Sequence, residues 1–222
     1  MTIRNLCLAG AAALAVGVAA DDAHAFGVSP GDPGFIVNFN EQDTLLARLT
    51  FELDSVLNNV WTFAVEVANL SENVPDVNRI VAFGFNVSPF FAATIDDDDN
   101  GTWAGVSVPG VNPGPNTGGF EAINTCVFAG ENCPGGANEG VIGGGTSNLV
   151  LLIETDGSAD TLFFSNVQTR WQDINLPTGE TSIAIGGDIA PIPLPPVGFM
   201  LLGALGALAF AARRRPVEKA AA

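Results

Sequence analysis

Between residues 26 and 190 the apolar positions recur with a period of two. Leu45, Ala47, Leu49, Phe51 and Leu53 fall on one side of an extended chain, and Arg48, Thr50, Glu52 and Asp54 on the other. Trp61, Phe63, Val65 and Val67 alternate in the same way with Thr62, Ala64, Glu66 and Ala68. Such alternation is the mark of half-buried strands, because successive side chains point to opposite faces of a sheet. Further strands are expected at 35–40, 79–87, 91–95, 102–108, 120–128, 148–154, 161–174 and 181–185, separated by turn residues such as Asp99-Asn100-Gly101 and Asp156-Gly157. No sustained 3.6-residue period interrupts them. Nine or ten short strands with one apolar face predict an all-β domain, a single β-sandwich with a jelly roll as one arrangement of it.

Two segments break the alternation. Residues 109–145 hold 11 glycines and 4 prolines in 37 positions, which predicts long irregular loops around one strand. Such loops either shape a binding surface or stay disordered. Cys126 and Cys133 lie inside this stretch with six residues between them. They are the only cysteines after residue 25, and a pair so spaced in an exported domain predicts a disulfide. A redox or metal pair would instead call for C-x-x-C or a nearby His, and neither is present.

The termini carry different signals. Arg4, an apolar small-residue run over 7–20, and Ala23-His24-Ala25 have the order of a secretory signal peptide over residues 1–25, cleaved after Ala25. Near the other end, residues 197–212 are 16 uncharged, mostly apolar residues followed at once by Arg213-Arg214-Arg215. As a helix this run would span roughly 24 Å, a little short of a bilayer core. The arginines would stay in the cytoplasm, which leaves the exported body outside the inner membrane and residues 216–222 as a cytoplasmic tail. The proline-rich Ile192-Pro193-Leu194-Pro195-Pro196 stands immediately before the apolar run.

This order of proline motif, apolar helix and arginine cluster, over 189–215, resembles the PEP-CTERM class of sorting signals, in its VPLPA-type variant. Ile192 stands where that variant has valine and Pro196 where it has alanine. The resemblance implies a Gram-negative bacterium, an exosortase-type membrane enzyme that processes the tail, and delivery to the cell surface or the extracellular polysaccharide matrix. In the body, Cys126, Gly130-Glu131-Asn132-Cys133, Gly143-Gly144-Gly145, Leu149 to Ile153, and Phe163 to Arg170-Trp171-Gln172 follow one another in an order similar to the cistern family of PEP-CTERM exoproteins. That likeness implies no activity.

Charge narrows the function classes. The whole chain carries a formal charge of −16. Over 26–190 there are 21 Asp and Glu against Arg48, Arg79 and Arg170, with no Lys, His or Tyr. A nucleic-acid partner is excluded, since it requires a basic face. Unaided adhesion to anionic lipid is excluded for the same reason. Most acid–base and nucleophilic catalysis lacks its side chains, so no enzyme is expected. Glu52, Glu66, Glu154 and Asp156 sit in or beside expected strands, where glycoside hydrolysis would need a converging pair; alternation sends Glu52 and Glu66 to the solvent face, and the sequence prefers no pair. Asp96, Asp98 and Asn100, with Gly101, match the opening D-x-D-x-N-G of a calcium loop, whose alternate oxygens converge on one ion. Position twelve is Ser107 and not Glu, so an acidic hairpin turn is the competing reading. Trp61 is in phase with the core; Trp103 and Trp171 are candidates for exposed sugar-stacking faces.

Two functions follow: a structural or interaction protein of the envelope or matrix, and a surface-held carbohydrate-binding module. The expected domain runs from 26 to 188.

Overall fold

The computed structural model describes residues 25–41, 44–71, 78–98, 101–110, 114–115, 119–134, 139–157, 159–174 and 182–192. The expected signal peptide before Ala25, the apolar segment 197–212, Arg213 to Arg215, and the tail lie outside them, as do Asn100 and Pro193 to Pro196.

The described residues form an all-β fold of two antiparallel sheets. In chain order the strands are β1 (Phe26–Val28), β2 (Gly34–Glu41), β3 (Leu45–Leu57), β4 (Val60–Asn69), β5 (Arg79–Ser88), β6 (Ala92–Asp98), β7 (Gly105–Ser107), β8 (Thr125–Phe128), β9 (Val141–Ile142), β10 (Thr146–Glu154), β11 (Leu162–Gln172), β12 (Ser182–Gly186) and β13 (Asp188–Pro191). One sheet has six strands in the order β13-β2-β3-β4-β10-β6, with the β2-β3-β4 meander at its centre. The other has seven: β1-β11-β5-β8-β7, with β12 also on β11 and β9 also on β5.

The expected alternation holds in the long strands. Leu45, Ala47, Leu49 and Phe51 of β3, and Trp61, Phe63, Val65 and Val67 of β4, are buried between the sheets. The centre of that layer is aromatic. The Phe51 ring stacks on Phe35 at 4.6 Å. Its edges meet Phe63 at 6.5 Å, Phe83 at 6.0 Å and Phe85 at 5.8 Å, and it tilts against Phe164 at 6.0 Å. Phe35, Phe51 and Phe63 come from the six-stranded sheet, and Phe83, Phe85 and Phe164 from the other. Phenyl rings have no polar group to satisfy, so this cluster joins the sheets without any hydrogen-bonding cost.

One end of the sandwich is closed by a buried polar knot. Asn69 Nδ2 donates to Asn78 Oδ1 at 2.8 Å and to Val141 O at 3.0 Å. The Ser71 amide donates to Asn69 Oδ1, and the Gly144 amide to Asn69 O. A Cβ on Gly143 would stand 2.6 Å from Ser71 O and one on Gly145 2.9 Å from Ile142 O, so these two glycines are packing requirements of the turn, while Gly144 has open space and a left-handed φ of 74°.

Three differences from the sequence expectation concern short elements. β1, β9 and β13 have 3, 2 and 4 residues, too few to show a period. The strand expected at 120–128 shrinks to Thr125–Phe128, because Ala122 adopts a left-handed φ of 51° and turns the chain. β13 also carries the fold past the expected boundary at 188, pairing Asp188 with Asn38 and Pro191 with Phe35.

Replacing Phe51 with Ala is expected to destabilise the domain by about 3–5 kcal/mol, the usual range for a buried Phe. Urea unfolding of the disulfide-intact domain checks it; a loss below about 1 kcal/mol would show that the rings repack without Phe51.

Candidate functional site

The glycine-rich stretch, ambiguous in sequence, supplies a lid. The two arms that lead into and out of β8, residues 119–124 and 130–134, fold over the outer face of the seven-stranded sheet. There Phe120, Ile123, Cys126 and Cys133 pack on Ala82 as a second, smaller core, flanked by Phe128 and Ala184. The Cys126 and Cys133 sulfurs stand at disulfide distance, 2.21 Å, and both residues are fully buried. Gly84 of β5 makes room for the lid: a Cβ there would lie 2.3 Å from Ile123 Cδ1.

The lid is held by sheet side chains that donate to its backbone carbonyls. Asn86 donates to Ala122 O. Asn166 donates to Glu121 O at 2.6 Å, and Gln168 to the same oxygen at 2.8 Å. Arg170 Nε donates to Pro134 O at 3.1 Å, joined there by Gln172 Nε2 at 3.0 Å. Arg170 Nη2 reaches Ser182 Oγ at 3.1 Å. Partial burial lowers the Arg170 pKa from its ordinary value. In return, Asn124 of the lid clamps the Val87 backbone, accepting from its N–H at 3.0 Å and donating to its carbonyl at 2.7 Å.

The two candidate sugar-stacking tryptophans are not exposed. Trp171 is 0% exposed and donates from Nε1 to Thr169 Oγ1 at 3.0 Å. Trp103 is 5% exposed and meets Phe83 edge-on at 5.3 Å. In β11 the half-buried Arg170 faces the lid, so alternation turns Trp171 into the sandwich. Trp61 is in the core, as its phase required.

Asp96 and Asp98, expected in a calcium loop or a hairpin turn, lie in β6, the edge strand of the six-stranded sheet. Asp97 pairs with Val150 and Ile95 with Leu151, so Asp96 is the extra residue of a β-bulge. Asp96 is exposed, and Asn100 lies outside the described residues. Among the described residues no group of three metal-ligating side chains converges. A charged, bulged edge discourages pairing with a strand of another chain. The opposite edge, β13, carries Asp188 and ends in Pro191.

The outer face of the same sheet holds a shallow groove of about 280 Å³. Ala64 and Val150 form an apolar floor, and Thr50, Glu52, Glu66 and Asn148 stand around it. Register brings them together: Glu66 is opposite both Thr50 and Asn148, and Ala64 is opposite both Glu52 and Val150. Glu52 and Glu66 are on the solvent face, as their phase predicted. Neither Asn148 nor Ala64 was a site candidate in the sequence, because only cross-strand register makes them neighbours of the carboxylates. The groove offers hydrogen-bond acceptors and one amide donor above a small apolar patch.

The Ile192 amide donates to Gly34 O at 3.4 Å. Thus the first residue of the expected sorting motif sits at the sheet edge, directly after β13.

Loss of the cysteine bridge in a Cys126→Ser/Cys133→Ser variant is expected to cost about 2–3 kcal/mol by loop entropy. Proteolysis of that variant should open at 119–124 and 130–134, on either side of β8, while the far-UV spectrum stays that of the intact sandwich. Simultaneous loss of all β signal would mean that the lid is integral to the main core. Compared with known proteins, the chain matches no family model and no curated protein.

Proposed function

We propose that this chain is an exported protein of the bacterial envelope or extracellular polysaccharide matrix. Its role is structural and interactive, not enzymatic, and an exosortase-type enzyme processes it at its C-terminal signal. The observation that carries the reading is the place of the proline motif in sequence, directly after the last described strand. β13 closes one edge of the sheet at Pro191, and Ile192-Pro193-Leu194-Pro195-Pro196 follows with no intervening linker. In the sequence the apolar run and the arginine cluster come next. A cystine-bearing lid suits an oxidising compartment. Strong negative charge suits a hydrated matrix, where it opposes aggregation and gathers cations.

Intact mass of the protein from its host, fraction by fraction, tests this. The expected species starts at Phe26, ends within Pro193 to Pro196, and is recovered outside the membrane fraction. A species that retains Arg213 to Ala222 and stays in membranes would reduce the reading to a plain anchored ectodomain.

The groove favours a second reading, a carbohydrate-binding module. With Trp61, Trp103 and Trp171 buried, a sugar would be recognised by Glu52, Glu66, Asn148 and Thr50 over Ala64 and Val150. Saturable binding to the host polysaccharide should then fall at least about tenfold in Glu66→Gln/Asn148→Ala, the effect of losing roughly 1.4 kcal/mol of hydrogen bonding. Unchanged binding by that variant would remove the groove from consideration.

A further inference from the structure

The strands of the six-stranded sheet do not end level. Ile192 lies beside Gly34, and Gly34 stands opposite Glu52 of β3. The β3–β4 hairpin runs on from there. Glu52 is opposite Ala64 and Leu57 is opposite Val60, so the tip lies four residues further along β4. At strand rise that is about 13 Å. Phe91 reaches the same level: its amide donates to Glu154 O at 2.9 Å, and Glu154 is opposite Val60. Leu57 and Phe91 are the two most exposed large apolar side chains described, at 69% and 64%. The turn between Leu57 and Val60 is Asn58-Asn59, and Phe91 follows Ser88-Pro89-Phe90, so neither tip carries a charge.

Five residue steps separate Ile192 from Val197, where the apolar run begins. Fully extended, they span at most about 18 Å. Any bend or sideways offset shortens that reach. The apolar run therefore starts no more than about 5 Å beyond the hairpin tip, which is within the ~5–7 Å headgroup layer of one leaflet.

We propose that this end of the sandwich is a lipid-docking surface, with Leu57 and Phe91 seated among the headgroups while the chain is membrane-held. The inference rests on residues 197–212 being a membrane segment. Asp54, Glu154 and Asp156 are exposed near the same end, so the fitting partner is a neutral, zwitterionic surface and not an anionic one. Ile142, 52% exposed, is an internal control. It pairs with Arg79 at the start of β5, the far end of the molecule, where the adjoining Gly144 amide meets the end of β4.

The test uses residues 26–222, the chain left after the expected cleavage, reconstituted in phosphatidylcholine vesicles containing a nitroxide-headgroup lipid. A fluorophore is attached in turn at Leu57→Cys, Phe91→Cys and Ile142→Cys. Quenching at 57 and 91 is expected to exceed that at 142 by about threefold or more, as interfacial side chains sit within ~5–10 Å of the headgroups. A chain that floats with the vesicles but is quenched equally at the three positions overturns docking alone. A chain that does not float overturns the membrane segment, and docking with it.

Discussion

Contact between two sets of phenyl rings holds this molecule together. Among the described residues there is no helix to cover either sheet, so a single apolar layer between the sheets does most of the work of folding. Phe51 is central to that layer because its ring meets partners from both sheets. Remove the contact and each sheet becomes a one-sided apolar surface. The lid depends on it in turn, since β5 and β11 supply both the inward rings and the outward side chains that grip residues 119–134. The outer groove depends on it too, because the β3–β4–β10 register is fixed only while alternate residues are buried.

Long strands were legible in the sequence and short ones were not. β3 and β4 carry 13 and 10 residues, and their alternation survives every local irregularity. β9 has two residues and owes its existence to the Asn69 knot, a contact between distant parts of the chain. The second core was hidden for another reason. Phe120, Ile123, Cys126 and Cys133 share no regular period, and what brings them together is the space above Gly84. Composition alone could say only that residues 109–145 were irregular.

The candidate sites divide along similar lines. The solvent face of Glu52 and Glu66 followed from phase, but their groove needed a third strand in register. The run Asp96–Asp98 looked like a loop because its composition is that of a turn; pairing with β10 makes it an edge strand and absorbs the extra residue as a bulge. Trp171, a candidate for an exposed face, is next in sequence to Arg170, and the two point to opposite faces of β11. Arg170 lies beneath the lid, where carbonyl and hydroxyl oxygens replace water around its charge.

The way the lid is held has a consequence for how such a protein can change over generations. Asn86, Asn166, Gln168, Arg170 and Gln172 all grip peptide carbonyls, which every amino acid possesses. Apart from β8, the small apolar underside, the cystine, Asn124 and Gly119, where a Cβ would stand 2.7 Å from Arg170 Nη1, the two arms can therefore exchange their outward side chains without loosening their grip on the sheet. The scaffold keeps the recognition of shape, and the exposed loop keeps its sequence open to drift: a division of labour suited to a surface that meets a variable environment.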